Sequence, residues 1–388
     1  MYQALYRKYR SQTFGQLVGQ EVIATTLRQA VEQGKISHAY LFSGPRGTGK
    51  TSVAKIFAKA MNCPNQKGGE PCNECYICEA ITNGSLEDVI EIDAASNNGV
   101  DEIRDIRDKS TYAPSLAPHK VYIIDEVHML STGAFNALLK TLEEPTENVV
   151  FILATTELHK IPATILSRVQ RFEFKSIKTP AIQDHLKAVL DKEGIDYEEE
   201  AVAIIARRAE GGMRDALSIL DQALSLTAGA QLTTATAEEI TGSISQEALD
   251  LYVAALAVQD ATAALDQLNL IFDNGKNMAR FVTDLLQYLR DLLIVQTGGE
   301  NLHVSERFNQ NLAIPQATLF AWIDLATRSL ADIKNSLQPK IYTEMMTIRL
   351  AEYKGEGSSA SQTALPADFL AQMDQLKREV ELLKSQLA

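Results

Sequence analysis

The chain has 388 residues, of which 45% are hydrophobic and 22% are charged, and its formal net charge is −13 at pH 7. This length predicts two or three domains, because single hydrophobic cores stop growing at about 250–300 residues. The negative charge argues against a generally basic surface for nucleic acid. The sequence has no long apolar run and no apolar signal core at its start, so we predict a cytoplasmic protein without a membrane span.

The charge is uneven along the chain. Residues 1–60 contain nine lysines or arginines against two acidic residues. We therefore expect a polyanion to meet local basic groups in this region, or groups on partner subunits.

Strand and helix patterns alternate from about residue 20 to 178. The apolar runs typical of buried strands are AYLFSG, DVIEIDA, VYIIDE and VVFILATT, and the runs with helical spacing include TSVAKIFAKAMN and FNALLKTLEE. Alternating positions at Phe172 and Phe174 indicate one more strand. This order predicts an α/β domain with a parallel sheet and helices on both faces.

The rest of the chain has helical patterns. Short helices are predicted from about residue 180 to 242, and residues 243–353 are predicted to be helical throughout, with Trp322 in the core. The stretch GEGSSASQTALPA at 355–367 is typical of a flexible linker. Apolar residues at 369–387 then follow heptad spacing, which fits a coiled-coil seam and a frayed amphipathic helix equally well.

A glycine-rich stretch, GPRGTGKT, follows the first predicted strand and opens a helix. It fits the phosphate-loop pattern G-x-x-x-x-G-K-[ST] in the context that this pattern requires. Lys50 would reach the β- and γ-phosphates of a bound nucleotide, and Thr51 would ligate Mg²⁺. The predicted nucleotide-binding residues of the loop are Gly44, Pro45, Arg46, Gly47, Thr48, Gly49, Lys50 and Thr51.

Two acidic residues end the predicted strand VYIIDE. Asp125 would hold Mg²⁺ directly or through water, and Glu126 would orient and polarise the attacking water. On their own, these residues fit solvated charges at a strand end. Together with the phosphate loop, they predict hydrolysis of a nucleoside triphosphate.

Three further side chains have both an ordinary and a catalytic interpretation. Thr156 ends the strand VVFILATT, where it would hold water, sense the γ-phosphate or simply cap the strand. Arg214 opens a helix beyond the sheet and would reach back to the nucleotide, or would pair with Asp215 or Asp221. Arg168 lies at a helix-to-strand junction, either as a solvated charge or as a cation aimed at a phosphate of its own or another chain.

All four cysteines lie in one short segment, as Cys63, Cys72, Cys75 and Cys78. In a reducing compartment this spacing predicts a closed tetrahedral zinc site that stabilises a small insert. A redox role for the C-x2-C pairs is the alternative. Because the phosphate loop lies outside the insert, we expect loss of the metal to leave ATP binding largely intact.

Together these motifs resemble those of the AAA+ ATPases and, among them, of the bacterial DNA polymerase III gamma/tau family. The resemblance covers about residues 1–242 and rests on YRKYRSQTFGQLVGQE, HAYLFSGPRGTGKTS, the cysteine insert, VIEIDAASNNGVDEIRDI, VYIIDEVHMLS, FNALLKTLEEP, LATTE and ILSR. It implies an AAA+ ATPase domain at 1–178 with a zinc-binding insert at about 62–80, a helical lid at 179–242, a helical collar for oligomerisation at 243–355, and a linker with the start of a helix at 356–388.

The resemblance also implies roles and partners. Arg168 would act in trans on the ATP of a neighbouring subunit, and Thr156 and Arg214 would correspond to sensors 1 and 2. The chain would be the ATPase motor of the clamp loader within the DNA polymerase III holoenzyme, and it would load the sliding clamp on primer–template DNA. Its partners would be the delta and delta prime subunits, the clamp and, through a longer C-terminal form, the polymerase and the helicase. SNNGVDEIRD is a candidate DNA-facing stretch.

The sequence departs from the family pattern at two positions. Val169 stands where cysteine is usual, and Ser11 stands where proline is usual, which would loosen the segment packed by the adenine. A DNA-dependent helicase or remodeller, suggested by DEVH, and a non-hydrolysing scaffold subunit are the alternatives. The lack of further arginine-rich helicase motifs argues against the first, and the intact catalytic residues argue against the second.

Overall fold

The computed structural model describes residues 3–227, 230–299 and 305–353. The predicted linker and the heptad pattern at 369–387 lie outside these residues. The contacts divide the chain into two compact units, the first ending at Ser243 and the second beginning at Ile244. Within the described ranges, no helix is long and apolar enough to cross a membrane.

The first unit contains a parallel sheet. Its strands are β1 (Ala39–Ser43), β2 (Val89–Asp93), β3 (Lys120–Asp125), β4 (Val149–Thr155) and β5 (Gln170–Glu173). They lie in the order β2-β3-β4-β1-β5, and every neighbouring pair is parallel. All residues of β1 and β4 are buried, which explains why their sequences are nearly continuous apolar runs. The predicted α/β class with a parallel sheet is confirmed.

The chain up to the end of this sheet also forms helices, some of which pack on its two faces. They are α1 (Leu5–Lys8), α2 (Glu21–Glu32), α3 (Lys50–Asn62), α4 (Tyr76–Asn83), α5 (Val100–Ser110), α6 (Thr132–Glu143) and α7 (Ala163–Leu166), with 3-10 helices at Phe14–Gln16, Val127–Met129 and Leu158–Lys160. Tyr40 and Phe42 of β1 lie in a core with α2 and α3, whereas Leu41 between them lies in a core with α5 and α6. The strand therefore alternates between two buried faces.

A small helical bundle follows the sheet in the same unit. Its helices are α8 (Thr179–Glu193), α9 (Glu199–Arg208), α10 (Met213–Thr227) and α11 (Thr234–Thr241). Their apolar side chains form a separate core, which also contains Leu5 of α1 and Ile177. The predicted change from strands to short helices is confirmed, and a domain boundary at residue 178 stays a proposal.

The second unit is helical, as predicted. Its helices are α12 (Gln246–Ala257), α13 (Ala261–Asp273), α14 (Met278–Gln296), α15 (Glu306–Asn311), α16 (Gln316–Asn335) and α17 (Pro339–Ala351). Trp322 is 2% exposed, and its indole N–H donates to the carbonyl oxygen of Leu350 at 3.0 Å. The buried carboxylate of Asp250 accepts hydrogen bonds from Tyr288 and Ser305, which satisfies a charge inside the core.

The start of β2 is joined to the loop before β3 by the carboxylate of Asp88, which is 1% exposed. Its oxygens accept from the backbone N–H groups of Ser115, Leu116 and Ala117, at 2.7, 2.7 and 2.9 Å. Burial alone would raise the pKa of Asp88, but these three hydrogen bonds together lower it below the ordinary value of 3.8.

We expect Asp88→Asn to lower the free energy of unfolding at pH 7 by about 1–3 kcal/mol, because the amide cannot accept from all three donors. The pKa of Asp88 is lower in the folded chain than in the unfolded chain. Its stabilisation is therefore present above the unfolded pKa and is lost as the pH falls through the folded value. The difference between wild type and variant should shrink as the pH falls below the ordinary aspartate value of 3.8, as measured by urea unfolding followed by circular dichroism.

The exposed neighbour Glu87 provides the control, since Glu87→Gln should leave the unfolding curve unchanged. Equal stability of Asp88→Asn and wild type at pH 7 would contradict the assignment.

Candidate functional site

The predicted phosphate loop lies between the end of β1 and the start of α3. Gly44, Gly47 and Gly49 have positive φ angles of 140°, 76° and 99°. A Cβ atom at Gly44 would lie 2.2 Å from the carbonyl oxygen of Phe174, so this position needs glycine for space as well as for conformation. Gly49 caps α3 without a side-chain hydrogen bond, and such a helix N-terminus favours an anion.

Lys50 is the first residue of α3 and is 6% exposed. Its ammonium donates to the carbonyl oxygens of Gly44 and Pro45 at 2.8 Å each. Burial lowers the pKa of Lys50, whereas the carboxylates of Glu126 and Asp125 raise it. The loop therefore holds a buried cation where compensation of phosphate charge requires one.

A hydrogen bond joins α3, the helix that follows the phosphate loop, to the end of β3. Thr51 Oγ1 donates to Asp125 Oδ2 at 2.7 Å, and the other oxygen, Asp125 Oδ1, accepts from the N–H of Glu126 at 2.9 Å. A hydroxyl and a carboxylate oxygen side by side are hard donors of the kind that Mg²⁺ prefers. This pair can hold one magnesium ion next to the loop.

Glu126 has a φ angle of 47°, which is uncommon for a residue with a side chain and is typical of functional sites. Its Oε2 accepts from the hydroxyl of Thr156 at 3.0 Å and from the N–H of Thr156 at 3.3 Å. The ends of β3 and β4 thus bring these two predicted residues together. Thr156 fixes the orientation of the carboxylate, which is more than capping a strand requires.

His128, whose side chain is 6% exposed, was not among the predicted site residues. Its Nδ1 lies 3.1 Å from Thr155 Oγ1 and 3.4 Å from Glu126 Oε2. Its Nε2 lies 3.3 Å from Glu157 Oε1. The imidazole therefore links the carboxylates of Glu126 and Glu157. The available signal was its position two residues after the acidic pair, in the short 3-10 helix that follows β3.

Arg168 lies between α7 and β5, and its side chain is 33% exposed. It forms an ion pair with Glu143 of α6 at 2.6 Å, and it donates to the carbonyl oxygen of Thr164 at 2.7 Å and to the hydroxyl of Ser167 at 3.0 Å. These contacts hold the guanidinium against α6 and α7 and do not join it to the phosphate loop of its own chain. Val169, the first departure from the family pattern, packs against the core that lies between the sheet and the helices α5 and α6.

The small helical bundle of α8–α11 contacts the phosphate loop at the start of α10. The N–H of Met213 donates to the carbonyl oxygen of Gly47 at 3.0 Å, and a Cβ atom at Gly47 would lie 2.9 Å from Cα of Gly212. The next residue, Arg214, is exposed and lies over the ring of Tyr6, 5.3 Å from its centroid. Arg214 is therefore next to a residue that touches the loop, and it stacks on a ring from the N-terminal helix.

The four cysteines form one cluster, as the spacing predicted. Their Sγ atoms lie within 4.8 Å of one another, and those of Cys63 and Cys72 are 3.4 Å apart. Zn–S bonds of about 2.3 Å in a tetrahedron separate sulfurs by about 3.8 Å, so the cluster fits one zinc ion. Burial raises the pKa of Cys63 and of Cys78, so four thiolates at this place need a cation to offset their charge.

Ser11, the second departure from the family pattern, is held within its own segment. Its hydroxyl donates to the carbonyl oxygen of Gln16 at 3.1 Å. The N–H of Gln12 donates to Gln16 Oε1 at 2.8 Å. These two bonds oppose the loosening that the missing proline suggested.

Family models match three consecutive parts of the chain. Residues 19–178 match a DNA polymerase III delta subunit model, residues 181–229 match the ATPase lid domain of the DNA polymerase III clamp loader subunit, and residues 232–360 match domain III of DNA polymerase III subunits gamma and tau. The second model names the clamp loader subunit, and the third names the gamma and tau subunits.

Two relatives cover most of the chain. It is 50% identical over 391 residues to DNA polymerase III subunit tau of Bacillus subtilis. The aligned region covers 99% of this chain and 69% of that protein. It is 37% identical over 360 residues to DNA polymerase III subunit gamma/tau of Mycobacterium tuberculosis, which covers 89% of this chain and 62% of that protein. The chain therefore spans about two thirds of the length of these relatives.

The fold is also similar to a solved structure, the RuvB Holliday junction branch migration motor of Thermotoga maritima. The TM-score is 0.46 and the sequence identity is 17%. The similarity covers 78% of this chain and 90% of that chain.

We expect Glu126→Gln to bind ATP within about twofold of wild type and to lose turnover by at least about 100-fold, the lower end for removing a general base. Glutamine keeps an acceptor for Thr156 but is not basic enough to polarise water. Binding and steady-state turnover should be measured on the same preparation, with the exposed Glu144→Gln as the control. Turnover of Glu126→Gln at the rate of the control would show that another group activates the water.

We expect elemental analysis to find one zinc ion per chain, and Cys75→Ser to bind it far more weakly, since a closed four-thiolate site loses a ligand. Hydrogen exchange of residues 63–83 should become faster in that variant. Glu79→Gln, an exposed change in the same insert, should retain the metal. A carefully prepared protein without metal would instead favour the redox interpretation.

Proposed function

Because the chain belongs to the gamma/tau family of bacterial DNA polymerase III subunits, we propose that it is an ATPase motor of the clamp loader. It would act in the cytoplasm and use ATP binding and hydrolysis to load the ring-shaped sliding clamp on primer–template DNA. The observation that carries this proposal is the meeting of Lys50, Asp125 and Glu126 at one edge of the sheet, next to a glycine loop shaped for phosphates.

Each of these residues would have one task in hydrolysis. The ammonium of Lys50 would leave its carbonyl acceptors and compensate the charge of the β- and γ-phosphates. Thr51 and Asp125 would hold Mg²⁺, which neutralises phosphate charge when bound. Glu126 would accept a hydrogen bond from the attacking water and orient it, while Thr156 holds the carboxylate in place.

The lid would respond to the bound nucleotide. Met213 is hydrogen-bonded to Gly47 of the loop, and Arg214 follows it at the start of α10. A γ-phosphate at the loop would attract this guanidinium, so ATP and ADP would hold the lid differently. Arg214 would then couple the state of the nucleotide to the position of the lid.

Arg168 would complete the site of a neighbouring subunit. Its ion pair with Glu143 and its bond to Thr164 hold it at the surface of α6 and α7, partly exposed. A cation held in this way suits presentation to another chain. An arginine supplied in trans stabilises the charge of the transition state only in the assembled complex. The rate of hydrolysis would therefore depend on assembly of the complex.

The second unit would be the collar through which this chain assembles with other copies and with the delta and delta prime subunits. Its α17 exposes Ile341, Met345 and Ile348, which are 46%, 46% and 37% exposed. Residues three and four positions apart share a face of a helix, so these side chains form an apolar stripe. An exposed apolar stripe is typical of an interaction surface.

DNA would be gripped by shape, through phosphate contacts from helix N-termini and local basic groups. The helix α5 begins after SNNG, at Val100, and has no side-chain cap. We propose this N-terminus as one DNA contact. Binding of the polymerase and the helicase would belong to the longer form of the protein, beyond the part that this chain shares with its relatives.

The proposal is tested by measuring ATP turnover with and without primed DNA, clamp and the partner loader subunits. Stimulation that requires all of them supports clamp loading. Directional strand unwinding by the purified chain would favour the helicase, and the absence of turnover in the full complex would favour the scaffold.

In the same assembled complex, we expect Arg168→Ala to bind ATP nearly normally and to lose stimulated hydrolysis by about 10³-fold, the lower end for an arginine finger. The exposed Arg171→Ala is the matched control. Chains with Lys50→Ala keep an intact finger, so mixing them with Arg168→Ala chains should restore part of the activity. If the mixture stays as inactive as either variant although assembly is confirmed by size, the arginine does not act across the interface.

A further inference from the structure

The segment of residues 10–16, between α1 and α2, touches the nucleotide site at its first residue. Arg10 Nε donates to Ser52 Oγ at 2.9 Å, and Ser52 follows Thr51 in the first turn of α3. Burial lowers the pKa of Arg10, and its charge interacts with Glu91, Arg214 and Asp125. A half-buried guanidinium therefore lies among the same charges that surround the phosphate loop.

The other end of this segment is held by the cysteine insert. The carboxylate of Glu70 accepts from the N–H groups of Phe14 and Gly15 at 2.8 and 2.9 Å. The ring of Phe14 is 3% exposed and lies in the core of the sheet. Glu70 thus fixes the backbone at the place where the segment enters the core.

Lys59 makes a second link between the insert and the segment. Its ammonium donates to Gln12 Oε1 at 2.7 Å and to Asn73 Oδ1 at 2.6 Å. Asn73 lies between Cys72 and Cys75, in the left-handed conformation with φ 60°. The side chain of Lys59 is 2% exposed, and a buried ammonium is stable only where its donors are satisfied.

The negative charge of the cysteine cluster also stabilises the ammonium of Lys59. Four thiolates and one Zn²⁺ together carry a net charge of about −2. The thiols of Cys78, Cys63 and Cys72 are close enough to interact electrostatically with the ammonium of Lys59. The metal site and the buried lysine therefore stabilise each other.

The insert has little apolar core of its own. Of the nearby cluster of Ala80, Ile81, Leu86 and Ala117, only Ala80 lies within residues 62–80. Glu70 and Asn73 lie in the loop that the cysteines close, where the pairing is limited to a bridge between Lys67 and Glu70. Such loops lose their order when the metal is removed. Loss of the metal would thus release Glu70 and Asn73 from segment 10–16.

We propose that the cysteine insert positions Arg10 beside the nucleotide through Glu70 and Lys59, so that metal binding in the insert strengthens the binding of a nucleoside triphosphate. This inference rests on the proposed function of the phosphate loop. The phosphate loop lies outside the insert, which is why the sequence led us to expect independence of metal and nucleotide. The hydrogen bonds of segment 10–16 connect the two.

The test compares Glu70→Ala and Glu70→Gln with the exposed control Glu79→Gln in the full chain. Three properties are measured: zinc per chain, hydrogen exchange of residues 10–16, and the affinity for a non-hydrolysable ATP analogue. We expect all three variants to retain one zinc ion. Glu70→Ala should exchange faster at residues 10–16 and bind the analogue about tenfold more weakly, a change of about 1.4 kcal/mol, similar to one hydrogen bond to a charged group. Glu70→Gln should lie between Glu70→Ala and the control.

Measurements of ATP turnover distinguish a loss of Arg10 positioning from general damage to the protein. At saturating ATP, the kcat of Glu70→Ala should match that of Glu79→Gln, while KM rises, because Arg10 would act on binding and Glu126 on the chemical step. Hydrogen exchange of β3 should stay slow in both variants, which shows that the sheet is intact.

Removal of the metal with a chelator and a thiol reductant provides the second arm. In the wild type it should produce the same faster exchange at residues 10–16 and the same loss of affinity, and added zinc should reverse both. In Glu70→Ala, removal of the metal should weaken binding less than in the wild type, because the Glu70 link is already broken and only the Lys59 link remains to be lost.

The proposal is overturned if Glu70→Ala binds the analogue as tightly as Glu79→Gln does, or if metal-free wild type keeps slow exchange at residues 10–16. A wild-type chain that binds no triphosphate would refute the proposed function itself. A wild-type chain that binds normally, with unchanged variants, would refute only the coupling to the insert.

Discussion

The hydrogen bond between Thr51 and Asp125 is the contact on which the geometry of the site depends. It joins the first turn of α3 to the end of β3, a strand that β4 separates from β1, where the loop starts. Parallel strands end at one edge of the sheet, so the loop and the acidic pair are brought to the same place. Because apolar cores cover both faces of these strands, packing sets the distance between Thr51 and Asp125.

From this contact, hydrogen bonds extend in two directions. Along the sheet edge, the carboxylate of Glu126 is bound by Thr156 and lies beside His128, which reaches Glu157. Toward the lid, Gly47 of the loop accepts from Met213. A ligand at the loop would therefore disturb both Glu126, the proposed water-activating group, and the first turn of α10. If the proposed hydrolysis takes place here, these bonds would couple it to movement of the lid without a separate relay.

Patterns of neighbouring residues predicted the strands, the phosphate loop and the cysteine cluster, because each depends on local sequence. The buried strand β4 is an apolar run, and the loop needs glycine at Gly44 and Gly49 for its backbone. The contact of Arg168 with Glu143, by contrast, joins the loop between α7 and β5 to the end of α6, and no local pattern specifies it. The same holds for Glu70, whose partners Phe14 and Gly15 are more than fifty positions away in the sequence. Such contacts follow from the packing of segments that are distant in the sequence.

Two lysines of α3 show how a structure distinguishes a cation that binds a ligand from one that stabilises the fold. Lys50 and Lys59 are 6% and 2% exposed, and burial lowers the pKa of both. Lys59 donates to two side-chain amides, which an insert and a packed segment hold in place. Lys50 donates to two carbonyl oxygens of its own loop, next to a helix N-terminus and two carboxylates. Phosphate oxygens can replace those carbonyl oxygens without leaving a core group unpaired, whereas replacing the partners of Lys59 would disrupt the insert. The sequence shows Lys50 and Lys59 on one helix with Lys55, and only their partners distinguish the proposed ligand-binding lysine from the structural one.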